Sequence, residues 1–265
     1  MAPAFRIAVI IPARTCPYHQ VVSVLEQLTP DDRLVVVLNG LAEADRFTSR
    51  GIRHPLLRWV NSGSPIGAGC ARNLGAKTLE EAPMALLFCD VDDHVAPTWL
   101  AELARPLLAD SADLVGGALR VRRSCGPPKV VIPTFDYWYR QAVFGGNMGI
   151  TYEAWCRLGG FDDSFICCED TELAWRAGDL GLNIQVVPSA IADVNLRSPL
   201  KEFRQRYRWG RSSVQLLQTH GIGLDHLPGL RTLFLDKRTT GFAKNPAIAA
   251  LGQWVGQCQA IMSRL

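Results

Sequence analysis

With 265 residues, 48% of them hydrophobic and 20% charged, the chain can bury one substantial core and falls between a large single domain and two small ones. Its net charge of +3 and pI near 8.5 are too mild for an electrostatic nucleic-acid binder, so no nucleic-acid partner is expected, while phosphorylated small molecules stay open. No apolar run approaches the roughly 20 residues needed to cross a bilayer, Ile7 to Ile11 is too short for a signal-peptide core, and the eight cysteines form no CxxC pair, so a soluble, cytoplasmic protein without a zinc site or disulfide framework is expected.

Taken in chain order, short apolar runs recur at Phe5 to Ile11, Leu34 to Leu38, Leu56 to Val60, Ala85 to Cys89, Leu114 to Val121 and Ile184 to Val187. Nearly continuous hydrophobicity suits strands covered on both faces, and the alternation predicts an α/β fold with a mostly parallel central sheet flanked by helices. Between the third and fourth runs, Ala68, Ala71, Leu74, Gly75, Thr78, Leu79 and Ala82 repeat at three and four residues, which predicts a helix starting near Ser64 and Pro65. Ligands of such sheets collect beyond the carboxyl ends of the strands, where Pro12 to Pro17, Asn39 to Ala42 and Asp90 to His94 would converge. From Arg120 to Asn147 the pattern is irregular and rich in Arg, Gly, Pro and aromatics, a candidate acceptor loop in which Tyr137, Trp138 and Tyr139 offer flat apolar surface for a sugar or aromatic group. Core packing explains at least one of these three equally well. A helical run covers Thr171 to Ala177, and beyond Thr219 a glycine-punctuated tail leads to a predicted helix over Pro246 to Ser263.

The run Leu86 to Cys89 ends abruptly in Asp90, Val91, Asp92 and Asp93. Packing gives no reason to cluster like charges there, whereas Mg2+ or Mn2+ does, since a hard cation takes carboxylate oxygens and can also touch diphosphate. A solvated acidic turn before the next helix is the equally weighted alternative on this segment alone.

Read together, the segments resemble the family 2 glycosyltransferases of the GT-A fold. The matching pieces, in order, are Ile7 to Arg14, Val35 to Gly40, Gly67 to Ala76, Cys89 to Asp93, Gly145 to Met148, Leu158 to Asp162, and Glu169 to Leu173 with Arg176. The resemblance implies that Asp90-Val91-Asp92 is the family's DxD element, with Asp92 facing the metal, Asp90 near the ribose and Asp93 sharing either task. It places Pro12, Ala13, Arg14, Asn39, Arg72, Gly146, Asn147 and Glu169 around the nucleotide. It makes Asp170 the general base of an inverting transfer, although an Asp beginning a helix also serves as a cap.

Two departures stand out. Leu38 and Asn39 replace an acidic pair of many relatives, leaving the base open among uracil, thymine and guanine, and hence the donor among UDP, dTDP and GDP sugars. Near Ala192 to Asn195, where relatives often place a metal-binding histidine, Asn195 is the nearest match; His19, His54, His94, His220 and His226 read as surface or structural residues. Gln205-x-x-Arg208-Trp209 resembles the motif of processive polysaccharide synthases, so Arg208 and Trp209 are donor-binding candidates, with a solvated basic helix face as the alternative.

The expected organisation is a catalytic domain over residues 1–220, with a nucleotide-binding half to about 120 and an acceptor-binding half from about 121, followed by a helical tail over 221–265. The expected function is metal-dependent inverting transfer of a sugar from a nucleoside-diphosphate sugar to an acceptor hydroxyl or amine. A nucleotidyltransferase is the rival enzyme, although Pro12 to Pro17 lacks the glycine-rich loop it would need, and a non-catalytic nucleotide binder is the rival outside enzymes. The acceptor is not legible, and a homodimer is left open.

Overall fold

The computed structural model describes residues 5–14, 18–40, 52–122, 129–131, 140–195, 198–235 and 245–263. Tyr137, Trp138 and Tyr139, expected in the acceptor loop, lie outside the described residues. The chain divides into two compact units, one of Met1–Arg120, Val130–Ser164 and Glu169–Val194, the other of Val121–Lys129, Phe165–Cys168 and Asn195–Leu265.

The first unit is organised by a sheet of strands β1 (Phe5–Ala13), β2 (Asp32–Leu38), β3 (Leu57–Asn61), β4 (Pro83–Cys89), β5 (His94–Val95), β6 (Leu114–Arg122), β7 (Lys129–Val131), β8 (Asn147–Thr151) and β9 (Ile184–Asn195). Their order is β3-β2-β1-β4-β8-β6-β9-β5, with β7 beside β6. The first four run parallel, with Val9 opposite Leu34 and Leu87, while β8 joins β4 antiparallel and pairs Cys89 with Asn147. The GT-A expectation of a largely parallel sheet among helices describes this layout.

Side chains alternate across each strand. Ile7, Val9 and Ile11 therefore face a core with Val21 and Val24 of helix α1 (Tyr18–Leu25). Ala8 and Ile10 face the opposite core, with Ala71 of α2 (Ala68–Lys77). Trp99 and Leu103 of α3 (Trp99–Leu108) complete the first core. Trp155 of α4 (Tyr152–Leu158) and Leu173 of α5 (Glu169–Asp179) complete the second. Both faces being covered explains why the strands read as unbroken apolar runs.

One boundary differs from expectation. Helix α2 begins at Ala68 behind an extended Gly67, and not near Ser64 and Pro65. The backbone N–H and carbonyl of Ile66 are both bonded to the Asn39 amide, each at 2.8 Å, so the chain cannot enter a helix until that clamp is passed.

The second unit contains α6 (Pro199–Thr219), a 3-10 turn at Leu224–His226, α7 (Leu230–Leu235) and α8 (Pro246–Met262). Asn245 caps α8 by accepting from the Ile248 N–H, and Pro246 occupies a first-turn position where its missing N–H costs nothing.

Candidate active site

The carboxyl ends of β1, β2 and β4 set the framework. Pro12 and Ala13 are buried in β1, in register with Val37 and Leu38 of β2. The Asn39 N–H donates to the Ala13 carbonyl at 2.8 Å. Beyond the strand the exposed Arg14 donates to the Ile66 carbonyl at 2.5 Å. Asn39, read from the sequence as facing the nucleobase, has its side-chain amide committed in both directions to Ile66; it ties the approach to α2 against the end of β2.

Arg72 occupies the centre. Helix α2 carries it into the interior, where its side chain is 2% exposed, and its two terminal nitrogens divide between carboxylates from separate elements. Nη1 meets Glu169 at 2.8 Å at the start of α5, and Nη2 meets Asp90 at 2.9 Å just beyond β4. Read from the sequence as a donor toward phosphate or base, Arg72 spends both ends on this bridge. A planar guanidinium suits the task because its donors point in fixed, separate directions. Burial works against its charge, but Asp90, Glu169 and Asp170 more than offset this and hold it protonated. Glu169 feels the same burial from the other side: desolvation, assisted by Asp170 and opposed by Arg72, pushes its carboxyl up to about 7.

Asp170, in the first turn of α5, accepts from the Gly145 N–H through Oδ2 and from the Thr171 N–H through Oδ1, each at 2.7 Å. The Gly145-Gly146 turn can come this near because neither residue has a side chain. A Cβ on Gly146 would lie 2.6 Å from Asp90 Oδ2, and one on Gly145 would lie 2.9 Å from Arg72 Nη1. The turn thus lies against Asp90, Arg72 and Asp170 together. Its neighbour Asn147, also expected at the nucleotide, is fully buried and serves the framework. It accepts from Trp99 Nε1 at 2.7 Å and donates to the Ala118 and Ala190 carbonyls at 2.9 Å.

In the acidic loop, Asp90 is half-buried, Asp92 exposed and Asp93 buried. Cys89 just before it is an interior thiol that burial pushes far up, so it is chemically quiet. Strand β5 follows at once and sets His94 opposite Asp193 of β9. Asp193, in turn, takes Arg120 in a two-pronged ion pair at 2.5 and 2.7 Å. Asn195 ends β9, exposed, and belongs with Arg208 and Trp209 to the second unit. There Arg208 is exposed, and the half-buried Trp209 ring lies under the Arg206 guanidinium at 4.6 Å.

Among the described residues no group of three or more His, Cys, Asp or Glu side chains stands together as a ready-made metal cage. One Asp90 oxygen is given to Arg72, while the exposed Asp92 belongs to the same loop. Such a sparse set of hard oxygen donors fits Mg2+ or Mn2+ when diphosphate oxygens and water fill the remaining positions, which is the usual habit of these ions at phosphorylated substrates.

Sequence reasoning passed over Asn73, although it stands inside the quoted Gly67 to Ala76 segment. Its amide donates to the Phe161 carbonyl at 2.8 Å and to Asp163 at 2.7 Å, and accepts from the Phe161 N–H at 2.9 Å. It thereby pins the turn leading toward α5 and its two carboxylates. Its position next to Arg72 was the available signal.

The fold and this carboxylate site at the strand ends define a glycosyltransferase of the GT-A class. Residues 86–243 match the profile described as Glycosyl transferase family group 2, and the chain belongs to that family. The solved structure of Staphylococcus aureus TarS residues 1–349 is similar at a TM-score of 0.58 and 14% identity, over 98% of this chain and 72% of that one. The mannosyltransferase PcManGT from Pyrobaculum calidifontis, in complex with GDP-Man and Mn2+, is similar at 0.61 and 17%, over 99% and 77%. GalNAc-T7 with UDP, GalNAc and Mn2+ is similar at 0.60 and 16%, over 82% of this chain and 48% of that one. At such identities the likeness is one of fold. No curated protein sequence matches the chain.

Proposed function

We propose that the protein catalyses metal-assisted, inverting transfer of a sugar from a nucleoside-diphosphate sugar to an acceptor hydroxyl or amine. The observation that carries the reading is the Arg72 bridge, which fixes the acidic loop after β4 against the carboxylates that open α5. Two acidic elements nearly 80 residues apart in sequence are thereby held in one place, as a reaction with a leaving anion and a proton to remove requires.

In this reading Asp92 and Asp90, with Asp93 beside them, hold Mn2+ or Mg2+ together with the donor diphosphate, and Asn195 is a further candidate ligand. A divalent metal there would neutralise the charge developing on the leaving nucleotide. Arg72 keeps the Asp90 carboxylate in position. Pro12, Ala13, Arg14 and Asn39 shape the nucleotide end, Asn39 through its hold on the Ile66 backbone, while Gly146 and Glu169 border the reacting centre. Asp170 accepts the acceptor proton as the acceptor atom bonds to the anomeric carbon and the bond to diphosphate breaks on the opposite side. The complexes of the similar structures with UDP or GDP-Man and Mn2+ support a uridine or guanosine donor, with dTDP the third option. Residues to about 120 take the nucleotide in this scheme and those from about 121 to 220 take the acceptor, with Arg208 and Trp209 as further donor-binding candidates.

The substitution Asp170→Asn tests the assignment, because asparagine can still accept the Gly145 N–H but cannot take a proton. We expect kcat to fall about 100-fold or more, as loss of a general base costs, with donor affinity retained. Near-normal turnover, or a product with retained anomeric configuration, would overturn the mechanism.

A further inference from the structure

The sheet unit and the helical unit differ sharply in charge. The second unit holds fourteen Lys and Arg against three Asp and Glu, a net of +11, whereas the rest of the chain stands at −8 and the whole at +3. Part of the excess forms a stripe on α6, where Lys201, Arg204, Arg208 and Arg211 recur at three and four residues and are all exposed.

Helix α8 is arranged the wrong way round for a water-facing helix. Its 17 residues include no charged side chain. Its buried face carries Gly252, Gly256, Gln253 and Gln257, and its outward face carries Ala247, Leu251, Trp254, Cys258 and Met262, spaced at three and four residues. Leu251, Trp254 and Met262 are 44%, 38% and 64% exposed. The inward side explains itself as a close helix contact. A Cβ on Gly256 would lie 2.1 Å from the Tyr207 carbonyl and one on Gly210 would lie 2.0 Å from the Gln253 carbonyl, so the α6 and α8 backbones nearly touch. Small residues and amides between helices, with apolar residues outside, are the packing pattern of helices whose surroundings are not water.

At its far end α8 meets the basic stripe. Arg208, Arg211, Ser212 and Gln215 of α6 surround a cavity of about 170 Å³ with Ala260 and Ser263, and Ile166, 72% exposed, stands on its lining. Cationic and apolar groups thus share one border.

We propose that this unit is a peripheral membrane-binding module, in which the α8 stripe of Leu251, Trp254 and Met262 enters the headgroup and acyl boundary of an anionic bilayer while the α6 stripe meets lipid phosphates. No helix among the described residues is long and apolar enough to cross a membrane, so α8 lies in the interface. Charge selects this occupant over a second copy seated face to face on the same stripe, because that contact would bring two rows of exposed Lys201, Arg204, Arg208 and Arg211 together. The apolar stripe selects it over nucleic acid, which offers phosphates but no apolar layer for Leu251 and Met262. The inference stands apart from the proposed chemistry and survives its failure.

The test is sedimentation of the full chain with vesicles of phosphatidylcholine alone and of phosphatidylcholine with phosphatidylglycerol. We expect partition onto the anionic vesicles that falls at least about tenfold in 0.5 M salt. The double substitution Leu251→Glu and Trp254→Glu should lower it by about tenfold or more while leaving the melting temperature unchanged. Brominated acyl chains give a second measurement: they should quench the emission of bound protein, and Trp254→Phe should remove most of the quenching while leaving partition intact. Equal partition onto pure phosphatidylcholine, absence of partition, or a dimer in sedimentation velocity that the same two substitutions dissociate would overturn the proposal. So would salt-sensitive binding to duplex DNA in place of vesicles.

Discussion

At the scale of single residues the site turns on one cation between two anions. Arg72 is buried, as is Glu169, so removing the arginine leaves a carboxylate in the interior with no counter-charge. We expect Arg72→Met to lose about 3 to 5 kcal/mol in urea unfolding, the cost of breaking a buried pair from one side. Arg72→Lys should fall between, since one ammonium keeps the charge but cannot reproduce two donors aimed at separate elements. Glu169 gives a pH signature. Its folded carboxyl titrates near 7 against an ordinary value of 4.5, so the folded state binds this proton more tightly than the unfolded chain does. The group's contribution is therefore fully present below 4.5 and is lost as pH rises through 7. Glu169→Gln has no such proton to release, and its stability relative to the parent should climb between pH 4.5 and 7 when both are unfolded in urea. A flat difference across that window would contradict the assignment. In the proposed mechanism Asp92 acts on the ligand side. Asp92→Asn should abolish metal-dependent nucleotide binding in a calorimetric titration and leave the melting temperature of the unliganded protein in place, because the side chain is exposed.

At the scale of elements, Asn147 joins β8 to Trp99 of α3, to β6 through Ala118 and to β9 through Ala190. Asn147→Ala should cost about 1 to 3 kcal/mol for each buried group left unpaired, read from denaturant midpoints. Much of the element plan was legible, because the strands at Leu34 to Leu38 and Ala85 to Cys89 are covered on both faces and so leave continuous apolar runs. Strand β8 was not, since Asn147 to Thr151 is five residues long and owes its place to pairing with β4 and β6. The start of α2 departs from the local pattern for a related reason: Asn39, 27 positions away, holds Ile66 extended.

For the whole molecule, a modest net charge concealed a division. The average of +3 is too mild for a nucleic-acid binder, yet 22 of the 25 Asp and Glu fall in the first unit, which leaves the second at +11. The donor site carries its own molecule-wide prediction. In the proposed mechanism a metal would find few protein ligands among the described residues, so nucleotide and cation would complete each other, and UDP, dTDP or GDP sugars should raise the melting temperature in Mn2+ far more than with chelator. Equal shifts with and without metal would count against the metal-assisted reading.

The sequence by itself determined the family and the acidic loop, because both are written in local patterns: apolar runs of strand length, and short motifs in a fixed order from Ile7 to Leu173. Only the tertiary structure decided which polar residues of those motifs are structural. Asn39 and Asn147 look like ligand-facing groups in one dimension and are committed to backbone partners in three. Arg72 likewise meets Glu169 across 97 positions. Hydrogen bonds and ion pairs depend on direction and distance between remote segments, and no local pattern records which remote group will arrive.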